Sequence, residues 1–94
     1  MGRLKRLEHR DMADDRDERR LRWRSRRGML ELELALAPFV EQRLKRLSAR
    51  DQAHYARLLE HDDWDIFDWI QGRSEPGDPD LAAIVVEIRD ANTG

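Results

Sequence analysis

Ninety-four residues leave room for one small domain, and 39% hydrophobic residues suffice for a helical core beside an unusually high 40% of charged residues. The absence of cysteine excludes disulfide staples, thiolate nucleophiles and cysteine-bound zinc or iron–sulfur centres. The net charge of −2 conceals an asymmetry: residues 1–27 hold eleven Lys/Arg against six Asp/Glu, and residues 28–94 hold seven against fourteen.

Residues 1–13 scatter Leu4, Leu7 and Met12 among alternating charges and read as a flexible arm with too few anchors to pack. Its interleaved acids speak against an Arg-rich organelle presequence, and it lacks the apolar stretch of a secretory signal. No apolar run approaches the ~18–20 residues that span a bilayer. A cytoplasmic protein without membrane insertion is expected. A single helical domain is then expected over residues 14–90, with a short tail at 91–94.

The first helix is expected from Asp14 to Arg27, its acids (Asp14, Asp15, Asp17, Glu18) at the positive end of the dipole and Arg22, Arg24, Arg26 and Arg27 at the negative end. Gly28 then reads as a left-handed stop. Met29, Leu32, Leu36, Phe39, Val40, Leu44 and Leu47 follow at helical spacing. Pro38 lies inside that pattern and predicts a kink near Ala37 or two abutting pieces. Ser48 and Asp51 have the spacing of a capping box, opening a third helix with Gln52, Tyr55, Ala56 and Leu59 inward, flanked by Leu58. A short fourth helix spans Asp62 to Gln71, with Trp64, Phe67 and Ile70 on one face and Ile66 and Trp69 beside them. After a loop from Gly72 to Gly77, Asp78-Pro79 is an N-cap followed by proline in the first turn. Leu81, Ile84, Val85 and Ile88 mark the last helix. Ile84-Val85-Val86 alone has strand character, but no second such run exists to pair with it. The expected fold is all-α, a compact bundle of about five short helices.

Catalytic constellations are missing. His9, His54 and His61 form no metal-ligating pair and read as surface histidines. Ser25, Ser48 and Ser74 lack a nucleophile elbow, and no glycine-rich phosphate loop occurs. The residues favour an interaction surface over an enzyme. Leu21 and Trp23 are two apart and cannot share a helix face, so an inward Leu21 leaves Trp23 outside among Arg20, Arg22, Arg24, Arg26 and Arg27. Exposed tryptophan with arginine is the composition of binding hot spots. Gly28 beside them is either a plain helix cap or a place where another backbone comes close. A second cluster runs from Glu60 to Asp68, with five acids in nine residues. Dipole complementarity accounts for Asp62, Asp63 and Asp65, while Asp68 leaves room for an acidic patch facing a basic partner. The spacing of an EF-hand calcium loop is absent.

Three stretches in order carry a family pattern: Arg27-Gly28-Met29-Leu30-Glu31, an RGxxE motif; Pro38-Phe39-Val40-Glu41; and Leu58-Leu59-Glu60-His61-Asp62-Asp63 leading into Asp65-Ile66-Phe67-Asp68-Trp69. Over about residues 15–90 this resembles the SdhE family of small FAD assembly factors, the succinate dehydrogenase flavinylation factors of bacteria and mitochondria. The resemblance implies a five-helix bundle that binds the flavoprotein subunit of succinate dehydrogenase or fumarate reductase. It further implies promotion of the covalent bond between the flavin 8α carbon and a histidine of that subunit. By the same resemblance Arg27, Gly28 and Glu31 form the functional surface, which Met29, Arg20, Trp23 and Pro38 extend. No cofactor is expected to stay on the chain itself, which acts on the FAD of its partner, and the free chain is expected to be a monomer that binds no nucleic acid. Trp64 departs from the proline that the family usually carries after the Asp-Asp pair. The alternative readings are an antitoxin-like partner of another protein and a nucleic-acid-binding regulatory module using Arg20–Arg27.

Overall fold

The computed structural model describes residues 15–93, so the expected arm at 1–13, with His9, lies outside the described residues. Within these residues five helices follow one another: α1 (Asp15–Arg24), α2 (Leu30–Gln42), α3 (Ala49–Leu58), α4 (Asp63–Gln71) and α5 (Pro79–Thr93). A single 3₁₀ turn, Leu44–Arg46, joins α2 to α3, and there is no strand among the described residues. The all-α reading holds.

The longest helix organises the rest. α5 packs against α2, α3 and α4, while α1 leans on α3. Leu81, Ile84, Val85, Ile88 and Ala91 enter the core from α5, and the helix continues through Thr93. They meet Leu32, Leu36 and Phe39 of α2, Tyr55 and Leu58 of α3, and Ile66 and Ile70 of α4, with Leu44 and Leu59 from the connections. Phe39 and Tyr55 are in tilted ring contact, with centroids 4.9 Å apart.

Helix starts follow local chemistry. Ser48 caps α3, its hydroxyl accepting from the Asp51 amide at 3.1 Å. Asp78 caps α5, accepting from the Asp80 amide at 2.8 Å, and Pro79 occupies the first turn. That backbone hydrogen bond, followed by the bond from Arg57, holds the Asp78 carboxyl below its usual range.

Four expectations are corrected. First, α1 ends at Arg24 and not at Arg27, because the Ser25 hydroxyl turns back to the Leu21 carbonyl (2.7 Å) and meets the Tyr55 hydroxyl (2.7 Å) in the interior. Gly28 is therefore not a left-handed stop; among the described residues positive φ occurs only at Gly72, which closes α4 at φ 79°. Second, α2 runs unbroken through Pro38, so it is not two pieces, and the chain leaves α-helical geometry only after Gln42. Third, α4 turns Ile66 and Ile70 inward while Trp64 is 63% exposed. Five apolar residues between Trp64 and Ile70 give α4 no unique face, and packing on α2 and α5 selects the isoleucines. Fourth, His54 is not a surface histidine, since its side chain is largely covered between Asp51 (3.7 Å) and Asp80 (3.5 Å).

Candidate functional site

The clusters read separately in the sequence meet in space. The α1–α2 connection and the α3–α4 connection lie side by side and enclose an open cleft of about 850 Å³, lined by Arg27, Gly28 and Met29 on one wall and residues 60–64 on the other.

Arg27 holds the walls together. Its Nε donates to Asp63 Oδ1 at 2.8 Å, one terminal nitrogen to the Arg24 carbonyl at 3.0 Å, and the other to the His61 carbonyl at 3.2 Å. The planar guanidinium fork reaches three acceptors on two segments, a geometry that an ammonium group lacks. Asp63 opens α4 and so points a carboxylate back across the cleft from a position that its helix dipole already favours. The partnership of Arg27 with Asp63, 36 residues away, was invisible in the sequence. The available signal was the meeting of opposite charges: a basic stretch before Gly28 and an acidic one after Glu60.

Gly28 sits beside this clamp with nothing in front of it. A Cβ built on it meets no atom within 4 Å, and its backbone demands no special residue. The cap reading is thus removed, and the close-approach reading remains: at this point the main chain lies open to another molecule. Met29 opens α2 from an extended conformation and packs partly against the core. Glu31 follows in the first turn of α2, exposed, its carboxylate without a hydrogen bond or ion pair among the described residues.

The far wall carries an aromatic. Trp64 is exposed, and its amide donates to Asp62 Oδ2 at 3.1 Å. Proline, which the resemblance leads one to expect here, has no such donor; tryptophan supplies a capping bond and an aromatic on this wall. His61 leans edge-on against Trp69 at 5.1 Å between ring centroids. Asp68, the unexplained acid of the sequence, lies 3.5 Å from Arg73.

The remaining sequence candidates scatter. Trp23 is 73% exposed while Leu21 is buried, as their spacing requires, and the Arg26 guanidinium lies 5.9 Å from the Trp23 ring centroid. Arg20 lines a different groove, between α1 and α3, within 4.0 Å of Asp17. Pro38 lies two turns beyond Glu31 on the same side of α2. Neither Arg20 nor Pro38 reaches the cleft. No group of side chains suited to a metal ion occurs among the described residues, and no described helix is long and apolar enough to cross a membrane.

This geometry coincides with a family pattern. The family model described as "Flavinator of succinate dehydrogenase" matches residues 19–92. The FAD assembly factor SdhE of Pseudomonas aeruginosa is 49% identical over 79 residues, covering 84% of this chain and 94% of that protein. The proteins of the same name from Shewanella oneidensis (44% over 70 residues, 74% and 85% covered) and a Serratia strain (39% over 77 residues, 80% and 88% covered) are also similar. A match spanning α1 to α5, both walls of the cleft included, shows that the chain belongs to the family of FAD assembly factors that act as flavinators of succinate dehydrogenase.

Proposed function

We propose that this chain docks, through the surface around Gly28, on the flavoprotein subunit of succinate dehydrogenase or fumarate reductase and promotes covalent attachment of FAD to a histidine of that subunit. The observation that carries this reading is the open backbone at Gly28, held between the Arg27 clamp and the unpartnered Glu31 carboxylate. Nothing within the bundle calls for glycine there, whereas a partner's close approach does.

The chain is a positioning device and supplies no catalytic residue of its own. Bond formation requires the flavin methyl and the target histidine to be held in a reactive arrangement, and a well-oriented geometry is worth several kcal/mol of barrier. A rigid bundle clamped at Arg27 offers a firm template for holding the partner in that arrangement. FAD itself fits the partner better than this cleft. Glu60, Asp62 and Asp63 would face its pyrophosphate, and the one cation on the opposite wall is already committed to three acceptors.

Co-expression with the flavoprotein subunit tests the proposal, with covalent flavin read by fluorescence in a denaturing gel. The unchanged chain is expected to give a strong flavin band, and omission of the chain a weak one. Glu31→Ala and Gly28→Arg are expected to lower the band severalfold while their thermal melts stay close to that of the unchanged chain, since both positions are exposed. Equal flavin in all lanes overturns the proposal.

A further inference from the structure

Among the described residues five large apolar side chains are conspicuously exposed: Trp23, Leu30, Leu34, Trp64 and Val86. Four of them lie on the three helices that converge at Gly28, and only Val86 lies on α5. Where such side chains adjoin one another, they mark a surface that is covered in use. Trp64 belongs to the cleft already described; Leu30 and Leu34 do not. They are 64% and 63% exposed and stand one turn apart on the side of α2 turned away from its buried Leu32, Leu36 and Phe39. α2 is thus apolar on two faces, and only one of them is satisfied by the bundle.

We infer that the Leu30–Leu34 ridge is a second docking element, covered by an apolar strip of the same flavoprotein subunit that the Gly28 notch engages. This inference rests on the proposed function and adds to it Leu30, at an unspecified position of the RGxxE motif, and Leu34, which lies outside the motif. Continuity supports it: Leu34 lies three residues from Glu31 and four from Leu30, so the three side chains are neighbours on one helix surface. A partner that reaches the Glu31 carboxylate lies over Leu34. Charge and area oppose a second copy of this chain as occupant. α2 carries Glu31, Glu33 and Glu41 and no Lys or Arg, so two such faces packed together would oppose like charges. Two leucines also fall far short of the ~800 Å² per partner of a stable interface. The ridge is suited to extend a larger contact, and the occupant it fits is an apolar strip with a basic rim facing Glu31.

The test is the affinity of the purified flavoprotein subunit for the full chain, for Leu30→Gln/Leu34→Gln and for Val86→Gln, measured by calorimetry. Glutamine keeps the helix propensity of an exposed position, so circular dichroism and melting temperature are expected to stay unchanged in both variants. The double variant is expected to bind at least tenfold more weakly, and Val86→Gln to bind like the unchanged chain. Binding of the double variant within twofold of the unchanged chain overturns the inference and leaves the proposed function standing. Failure of the unchanged chain to bind overturns both. Self-association of the unchanged chain that the double variant abolishes, with flavoprotein binding retained, assigns the ridge to a second copy and likewise overturns the inference.

Discussion

Tyr55 is a fully buried side chain with a polar end, and its hydroxyl is satisfied by Ser25 at 2.7 Å. Burial pushes its pKa up from 10 to about 12, with Ser25 and the charges of Arg27 and Arg24 pulling the other way. In the unfolded chain the phenol ionises near its ordinary value of 10, so between about pH 10 and 12 the unfolded state holds fewer protons than the folded one. The contribution is therefore complete below pH 10 and lost as pH rises towards 12, amounting to about 2–3 kcal/mol. Urea unfolding followed from pH 8 to 11.5 is expected to show this decline, and Tyr55→Phe to flatten the part that belongs to the phenol. A decline as steep in Tyr55→Phe as in the unchanged chain would assign it to other groups. Ser25 gains a second meaning from the same contact, because the bonds that satisfy Tyr55 also end α1 and release Arg26, Arg27 and Gly28 into the connection.

Among the elements, the connections matter more to the site than the helices do. The α1–α2 and α3–α4 connections approach each other because α1 rests on α3 and α2 rests on α4, and Arg27 fastens them. Both partners of the Arg27–Asp63 pair are less than a third exposed, so their attraction is only moderately screened. A double-mutant cycle on Arg27→Ala and Asp63→Ala, read by urea unfolding, is expected to give a coupling of about 1 kcal/mol. Arg27→Lys is expected to retain less than half of it, because one ammonium cannot satisfy Asp63 and two carbonyls together. A coupling near zero would reduce the clamp to a surface coincidence. The parts of the fold that local chemistry decides were legible in the sequence: the caps at Ser48 and Asp78, proline at the start of α5, and the spacing of Leu81, Ile84, Val85 and Ile88. The parts decided by tertiary contact were not. The end of α1 depends on Tyr55, thirty residues away, and the face of α4 on its neighbours. The motif residues Arg27, Gly28 and Glu31 were named from family pattern, but their division of labour, one clamp, one gap and one unpartnered charge, emerges only when Asp63 is brought alongside.

At the scale of the whole molecule, the question is what the uneven distribution of charge does. An excess of arginine up to Arg27 suggests phosphate binding only if those side chains are available, and the structure has used many of them internally. Arg22 pairs with Glu18, Arg24 donates to the Ala56 carbonyl at 3.1 Å, Arg26 lies over Trp23 and 3.9 Å from Glu33, and Arg27 is held in its clamp. Beyond Gly28 the balance is acidic, and the acids Glu60, Asp62 and Asp63 stand beside the same connection. A polyanion approaching the basic helix would meet few free guanidinium groups and a nearby negative field, so counterion release would be small. Duplex DNA followed by fluorescence anisotropy is accordingly expected to show no saturable binding up to about 10 µM protein at 150 mM salt, where binding that uses many phosphates persists and falls steeply with salt. Submicromolar binding with a log–log salt slope steeper than about −5 would instead support the nucleic-acid reading. Association with the flavoprotein subunit is expected to lose far less over the same salt range, since contacts through Trp64, Leu30 and Leu34 depend on apolar burial, which salt does not screen. The two salt profiles, taken on one preparation, separate a surface built on charge from one built on shape and apolar area.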